Sequence, residues 1–361
     1  FKELNLAIFG QEPKDILLGN YLNCYTGHAT DYDIRYNSAS GGLVTQLLIF
    51  ALEEGIINGT LVTRMKKDNP LEPEPFIART KGEIIEASKS KYCPVPANIA
   101  LKEILESKEG ERFAVVGLPC HLHGLRKAEM VNRKLKDRIA LHIGIFCGTT
   151  KNFLGTEFQL RRMGIKKEEV AKLDYRGEGW PGSMTVQLKN EQRKLSELYF
   201  KYYDSKFCSF MDWRCVVCTD RTAEVADVSF GDAWLPVIED DKVGTSIIIS
   251  RSRHGEYLLQ QMMQREKVKL LLASAEKVIE SQGGLSMEKR DVKALFTLSK
   301  LLHKNVPIYN QELLEPKFNA YFSAIQLYSR MFLANHRLWK LLDLYFALIK
   351  YGSYLKSKLK L

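Results

Sequence analysis

Two segments in the middle of the chain each combine a short apolar run with a turn and a helical pattern, and they constrain the fold more than any other feature. Residues 112–116 and 139–146 have the length and composition of buried strands, and they lead to Cys120 and Cys147 before the helical patterns begin. Strands that alternate with helices are typical of α/β domains, whose functional residues collect at the carboxyl ends of parallel strands. We therefore expect a mixed, partly parallel sheet flanked by helices, with both cysteines at its functional edge.

The apolar pattern divides the chain into three parts. A helix is predicted to follow residues 37–42 and to end near Gly55, and a strand is predicted over residues 59–65. Beyond about residue 165, strands alternate with glycine-rich turns, which predicts α+β character for the second half. Helical spacing continues from about residue 295. We therefore expect an N-terminal segment (1–17), a main domain (18–294) and a C-terminal helical extension (295–361).

The positive charge of the chain is concentrated at its C-terminal end. Ten Lys and Arg residues but only three Asp and Glu residues lie beyond residue 299, so this segment carries most of the net charge of +10. Apolar residues between Leu338 and Ile349 recur at helical spacing, which suits packing on the protein body, docking to an acidic partner or contact with an anionic membrane surface. Because no DNA-binding signature is present, we expect no nucleic-acid partner.

The sequence contains neither a predicted membrane span nor a predicted secretion signal. No stretch approaches roughly 18 uninterrupted apolar residues, and the N-terminus has no basic region followed by an apolar segment. We expect a cytoplasmic protein, with peripheral contact to the inner membrane face through the C-terminal helix as a further hypothesis. In that compartment the seven cysteines should remain thiols.

Four of the cysteines have positions that suit metal binding. Cys215 and Cys218 have the Cys-x-x-Cys spacing of two ligands to one centre, and Cys120 and Cys147 follow predicted strands. Four soft thiolates favour zinc or an iron–sulfur cluster over a hard cation, while a plain buried pair is the competing interpretation. The other three cysteines have no partner at ligand spacing, and we expect them to be buried as small apolar side chains.

Two further segments contain candidate ligand-binding residues. Residues 37–42 lead into a helix, so they either present backbone amides to an anion or only cap and pack that helix. No Gly-x-Gly-x-x-Gly or Walker lysine motif is present, which disfavours standard dinucleotide and P-loop sites. His121 is a candidate proton donor. Arg126 and Lys127 either bind phosphate and carboxylate groups or form a solvated helix face.

Six segments in a fixed order resemble one known family. They are residues 38–42 (SASGG), 90–95 (SKYCPV), 117–121 (GLPCH), 146–147 (FC), 177–182 (GEGWPG) and 215–234, which joins the Cys-x-x-Cys pair to ADVSFGDAW. Together they are similar, over about residues 18–284, to the beta subunit of coenzyme F420 hydrogenase/dehydrogenase. This is a family of flavin-dependent deazaflavin oxidoreductases.

The resemblance implies a bound FAD, a 4Fe-4S cluster and hydride exchange with the deazaflavin coenzyme F420. Residues 18–294 then form a FAD/iron–sulfur catalytic domain, and zinc becomes the second choice of metal. The implied cluster ligands are Cys120, Cys147, Cys215 and Cys218. The implied flavin contacts are Ser38, Ser40, Gly41, Gly42, Lys91, Tyr92 and Pro119. We also predict His121 as a catalytic residue and Arg126 and Lys127 as substrate-binding residues.

Three functions are open at this stage. The leading one is hydride transfer between F420 and FAD, with single electrons passed through the cluster to or from a partner subunit or a ferredoxin. A second keeps both cofactors but acts on another conjugated substrate. A third, suggested by the basic C-terminal end, is a zinc-bearing nucleic-acid-binding or scaffold protein. The N-terminal ferredoxin-like segment of many relatives is not expected here, and the C-terminal extension lies outside their common core.

Overall fold

The computed structural model describes residues 2–190, 194–238, 240–283, 285–308 and 313–359, and its strands form two sheets. The strands are β1 (Asn23–Ala29), β2 (Gly59–Met65), β3 (Pro73–Ala78), β4 (Phe113–Gly117), β5 (Ile139–Ile145), β6 (Val170–Asp174), β7 (Ser183–Leu188), β8 (Lys194–Leu198), β9 (Val228–Asp232), β10 (Ser246–Ser250) and β11 (Val268–Ala273). The large sheet has the order β11-β1-β10-β9-β5-β4-β2-β3, and the small sheet has the order β6-β7-β8.

The centre of the large sheet is parallel and its two edges are antiparallel. Strands β2, β4, β5 and β9 pair in parallel. Strand β3 pairs antiparallel with β2 at one edge, and β10, β1 and β11 add antiparallel strands at the other. The predicted mixed, partly parallel sheet is thus confirmed, and the carboxyl ends of its parallel strands lie at one edge.

Helices cover both faces of the large sheet, which explains why its central strands are mostly buried on both faces. The helices are α1 (Lys2–Phe9), α2 (Tyr32–Tyr36), α3 (Leu43–Glu53), α4 (Lys81–Glu86), α5 (Leu101–Glu106), α6 (Pro119–Val131), α7 (Arg133–Arg138), α8 (Phe153–Arg162), α9 (Tyr199–Tyr202), α10 (Trp213–Val216), α11 (Arg253–Gln264), α12 (Ala275–Ser281), α13 (Leu285–Leu301), α14 (Phe318–Asn335) and α15 (Trp339–Leu359). Successive residues of β2 belong to different cores: Val62 packs with α3 and α11, and Leu61 packs with α5, α6 and α7.

The predicted helices and strands in the middle of the chain agree with the structure to within a few residues. The helix after residues 37–42 is α3, and the strand over residues 59–65 is β2. Strands β1, β8 and β11 were not predicted. The sequence of β1, NCYTGHA, contains a glycine and several polar residues, and this strand is held in the sheet by β10 and β11 from the far end of the domain.

The C-terminal extension packs on the rest of the protein. This is the first of the three interpretations of its apolar residues given above. Trp339 and Leu342 of α15 are buried against Phe158 and Phe210, and Arg337 pairs with Glu157. Leu341, Leu344, Leu348 and Ile349 are exposed, so only part of the predicted stripe is covered. Among the described residues, no helix is long and apolar enough to span a membrane.

The predicted division of the chain at residues 17 and 294 remains a prediction. Helix α13 runs from Leu285 to Leu301 and therefore crosses the second boundary without a break. In the N-terminal segment, Leu4 joins the core beneath α6, and the Asn5 side chain accepts a hydrogen bond from Asn20 at 2.9 Å. The N-terminal segment therefore packs on the main domain, and α13 joins the main domain to the C-terminal extension.

Two leucines on α15 test whether this helix is part of the folded body. The side chain of Leu342 is fully buried, whereas Leu344 is 54% exposed. We expect Leu342→Ala to lower the free energy of unfolding by about 2–5 kcal/mol, because it leaves a cavity in a packed cluster. Leu344→Ala should change it by less than about 0.5 kcal/mol. Urea denaturation followed by tryptophan fluorescence measures both values, and equal effects would contradict the observed packing.

Candidate functional site

One cavity of about 880 Å³ gathers most of the residues that the sequence analysis selected. Its lining comes from the ends of β4, β5 and β9, the start of α3, the segment of residues 87–92, and helices α13 and α14. This is the carboxyl edge of the parallel strands, where α/β sheets bind their ligands. The volume lies within the roughly 300–1,000 Å³ range of small-molecule and cofactor sites.

One end of the cavity is formed by the N-terminus of α3. Gly42 precedes the helix with φ of 75°, a left-handed conformation that favours glycine, and it lines the cavity with Leu43, Val44 and Thr45. The first backbone N–H groups of a helix have no partner within it, and the helix dipole is positive there. This end of the cavity therefore suits an anionic group such as a phosphate.

The neighbouring residues hold α3 in place. A Cβ atom on Gly41 would lie 2.6 Å from the carbonyl oxygen of Gly27, so only glycine allows this close approach to β1. The Gly41 N–H donates to Ser246 Oγ at 3.0 Å. Ser38 and Ser40 line the cavity, and their hydroxyl groups donate to the carbonyls of Ile34 and Thr245. Gly41 does not line the cavity; it packs the helix against the sheet.

Lys91 lines the cavity, but its ammonium group is bound to the protein backbone. Its Nζ donates to the carbonyls of Ala87, Ser88 and Lys89 at 2.6, 2.6 and 3.1 Å. Burial lowers the pKa of Lys91 to about 8. The side chain therefore orders the loop that follows α4, and this loop forms one wall of the cavity.

Aromatic rings form a wall near the middle of the cavity. Tyr203 stacks on Tyr199 with ring centroids 4.9 Å apart, and its centroid lies equally far from that of Tyr92. Trp234 stacks on the other side of Tyr199 at 5.6 Å. Flat apolar surfaces of this kind suit a planar conjugated ring. Pro119, another implied flavin contact, is buried at the start of α6 and does not line the cavity.

The four cysteines implied as cluster ligands lie together at another part of the site. Cys147 and Cys218 line the cavity. The charges of Cys147 and Cys215 act on the Cys120 thiol, and that of Cys147 acts on Cys218. Burial raises the pKa of Cys218 to about 12, and it raises the pKa of Cys147 as well. Metal binding at these thiols would therefore have to displace protons.

Among the residues that the structure describes, no group of three or more His, Cys, Asp or Glu side chains is close enough to hold one metal ion. In a 4Fe-4S cluster each cysteine binds a different iron, so its ligands are spread around the cluster. Cys24 and Cys93 are buried as predicted, while Cys208 lines the cavity.

The three predicted catalytic and substrate-binding residues have different surroundings. His121 lines the cavity, burial lowers its pKa, and its Nδ1 accepts the Leu118 N–H at 3.3 Å. Arg126 is turned away into a buried network, where it lies 3.4 Å from Glu129 and 3.7 Å from Asp227. Lys127 is exposed, and neither it nor Arg126 lines the cavity.

The network around Arg126 is centred on a buried histidine that the sequence analysis did not select. His142 lies 2.6 Å from Glu129 and 3.0 Å from Asp227 through its two ring nitrogens. Although burial alone would raise the pKa of Asp227, its contacts with His142 and Arg126 hold that pKa below the usual range. This network ties α6 to the large sheet, which explains why Arg126 is not at the cavity.

Several charged groups at the cavity were missed by the sequence analysis. Asp232, at the end of β9, accepts a bidentate pair of hydrogen bonds from the buried Arg176. Lys151 lies four residues after Cys147 in the sequence and is buried close to it. This spacing was the only feature of the sequence that could have indicated Lys151. Arg330 reaches the cavity from α14, and nothing in the sequence connects it with the other residues.

Comparison with known proteins identifies the family of the chain. Residues 24–102 match the N-terminal model, and residues 110–275 the C-terminal model, of the coenzyme F420 hydrogenase/dehydrogenase beta subunit. The chain is 31% identical over 256 residues to coenzyme F420 hydrogenase subunit beta of Methanothermobacter thermautotrophicus, covering 69% of this chain and 84% of that protein. It is 30% identical over 250 residues to the same subunit of Methanosarcina barkeri, covering 65% and 80%.

A solved structure shows the same fold. A chain of the F420-reducing NiFe hydrogenase complex from Methanosarcina barkeri, studied as a xenon derivative, superimposes with a TM-score of 0.63 at 22% sequence identity. The match covers 81% of this chain and 98% of that chain. Together, the sequence matches and the shared fold show that this chain belongs to the beta-subunit family of coenzyme F420 hydrogenase/dehydrogenase, a family of F420-linked oxidoreductases.

Proposed function

We propose that this chain binds FAD and one 4Fe-4S cluster and transfers hydride between coenzyme F420 and the flavin. The observation that carries the proposal is that one cavity contains the amide groups at the start of α3, an aromatic wall, and two of the four clustered thiols. A phosphate-bearing flavin fits the first two features, and a cluster fits the third. When bound, FAD exchanges hydride with the deazaflavin and single electrons with the cluster.

The protein residues hold these groups and exclude water from them. The α3 N-terminus supplies N–H donors for the flavin phosphates, and Ser38 and Ser40 stabilise the turn before it. Tyr92 presents an aromatic ring to the cavity, and Lys91 fixes the adjacent loop through its three carbonyl contacts. His121 lies at the wall, where its ring can donate or accept a hydrogen bond, and burial lowers its pKa because it disfavours the charged form.

Four soft thiolates suit either metal site, so it is the resemblance to the family that supports a cluster over the zinc alternative. A zinc ion would need all four ligands in one tetrahedral shell, whereas a 4Fe-4S cluster binds each thiolate through a different iron. Cys120, Cys147, Cys215 and Cys218 come from α6, from the end of β5, and from α10 and the loop that follows it. We assign these four thiols as the cluster ligands.

Electrons leave or enter through a partner subunit or a ferredoxin. The curated relatives are beta subunits of hydrogenases, and a cluster near the surface gives a route for single electrons to a second protein. Cys120 is exposed, so the cluster lies within reach of the surface. The cytoplasmic location and contact of α15 with an acidic partner or with the membrane are part of the same proposal.

The activity can be tested directly with anaerobically reconstituted protein. We expect it to oxidise reduced F420 with a one-electron viologen dye as the acceptor, at a rate proportional to the FAD occupancy. Absorbance of F420 and of the dye measures both halves of the reaction. Protein with full FAD and iron contents that does not react with F420 would contradict the proposal and favour another conjugated substrate.

The cluster assignment predicts that replacement of a single ligand cysteine releases the cluster. We expect Cys215→Ala to lose most of the roughly four irons per chain and the visible absorbance of the cluster. Cys208→Ala is the matched control, because this thiol also lies at the cavity but is not an assigned ligand. Iron analysis and paramagnetic resonance measure the result. Retention of four irons with an unchanged paramagnetic signal in Cys215→Ala would contradict the assignment of these four cysteines as ligands.

The flavin site predicts an effect of charge in the first turn of α3. Val44 lines the cavity there and is only partly buried, so Val44→Asp places a negative charge beside the expected phosphates. An acidic residue at a helix N-terminus stabilises the helix itself, so loss of flavin would not reflect unfolding. We expect FAD affinity to fall at least about tenfold in Val44→Asp but much less in the uncharged control Val44→Asn. Equal affinities of the two variants would place the phosphates elsewhere.

A further inference from the structure

A buried lysine at the cavity has no acidic partner. Lys151 is 1% exposed, and among the described residues its Nζ donates to the carbonyl and hydroxyl oxygens of Thr149 alone. The Tyr203 ring lies 5.3 Å from the same nitrogen. Within the described part of the chain, Lys151 forms no ion pair with a carboxylate.

An arginine from the C-terminal extension lies at the same part of the cavity. Arg330, on α14, lines the cavity, and its Nε is buried without a hydrogen-bond partner among the described residues. Cys208 connects the two cations, because its thiol interacts electrostatically with both Lys151 and Arg330. Lys151 and Arg330 therefore form one basic region, which we call the cationic end of the cavity.

The acidic side chains of the cavity do not neutralise this end. Asp232 is occupied by Arg176 and by the Trp180 indole, which donates to it at 3.1 Å. Asp291, on α13, also lines the cavity, but no ion pair joins it to Lys151 or Arg330 among the residues described. The assigned cluster thiols Cys147 and Cys215 act on Lys151, whereas no carboxylate of the described residues acts on Arg330. A buried cation without a counter-charge is costly, so Arg330 is the cation at this end that is best suited to an anionic ligand.

We propose that Lys151 and Arg330 form a subsite for the acidic side chain of the deazaflavin coenzyme, and that Arg330 determines specificity for its phosphate and carboxylate groups. This inference rests on the proposed function and adds to it. It also replaces Arg126 and Lys127, which do not line the cavity, as the contacts for those groups. Guanidinium groups bind phosphate and carboxylate oxygens in pairs, which suits Arg330 to this role.

The other two anionic groups expected at the site have their own contacts. The flavin phosphates are served by the amides of α3, at a different part of the lining. The cluster thiols Cys147 and Cys215 act on Lys151, but the thiol that acts on Arg330 is Cys208, which is not an assigned ligand. A substitution of Arg330 therefore tests the coenzyme subsite without removing a contact of the cluster ligands or of the flavin phosphates.

Arg330 lies beyond the part of the chain that the family models match. The family match ends at residue 275, and α14 begins at Phe318. Ala320, Ser323, Ala324 and Leu327 of the same helix also line the cavity, so the extension forms a wall of the binding site. The extension thus contributes directly to the choice of coenzyme.

The test compares two ligands that differ only in the acidic side chain. Oxidised F420 and the same deazaflavin chromophore without its phosphate and carboxylate groups are titrated into protein loaded with FAD and iron. Quenching of deazaflavin fluorescence gives both dissociation constants. The variants are Arg330→Gln and, as a control, Lys340→Gln, which removes the same charge from an exposed position of α15.

We expect Arg330→Gln to weaken binding of F420 by about 10- to 100-fold, the range for loss of a hydrogen-bonded charge. Binding of the side-chain-free deazaflavin should stay unchanged, as should the FAD and iron contents. Lys340→Gln should bind both ligands as the wild type does. A smaller affinity for both ligands, or loss of FAD or iron in Arg330→Gln, would overturn the subsite. If the wild type binds neither ligand, the proposed function itself fails, and the subsite fails with it.

Discussion

The buried pair of Arg176 and Asp232 is the interaction on which the geometry of the site depends. Arg176 follows β6 of the small sheet and Asp232 ends β9 of the large sheet, and two hydrogen bonds of 2.7 and 3.3 Å join them. The guanidinium also donates to the Pro181 carbonyl, and the Tyr199 ring lies 4.7 Å from its central carbon. Removal of either partner would leave a buried charge alone, which is far more costly than loss of an exposed pair. The pair therefore fixes the small sheet and the aromatic wall relative to the strand ends that carry the cysteines.

This constraint explains how one cavity serves groups with different chemistry. The α3 N-terminus is positioned by the close packing of Gly41 on β1, and the thiols are positioned by the ends of β5 and α10. Between them lie the aromatic rings that the Arg176–Asp232 pair holds in place. In the proposed function, a phosphate site, a flat apolar surface and a set of soft ligands share this one cavity, and its cationic end adds a place for an acidic substrate.

Local sequence pattern predicted the central strands, the helices between them and the cysteines at the strand ends, because these features depend on short-range periodicity. It did not predict β1 and β11, which depend on pairing between distant segments more than on their own composition. Arg126 and Lys127 were selected for their charge and for their closeness to Cys120 along the chain. The structure places Arg126 in the His142 network, and only three-dimensional packing shows this. Lys151 and Arg330 were missed because a charge is recognised as unpaired only when its surroundings are known. The division of the chain into three parts remains a prediction.

The central claim is that hydride enters at the flavin and that electrons then pass singly to the cluster inside the same cavity. Anaerobic rapid mixing of the reconstituted protein with one equivalent of reduced F420 tests this order most directly, with flavin absorbance and the paramagnetic signal of the cluster recorded on the same samples. We predict that the flavin absorbance falls first and that the signal of the reduced cluster follows. Appearance of the cluster signal while the flavin stays fully oxidised, or no change in either, would contradict the account.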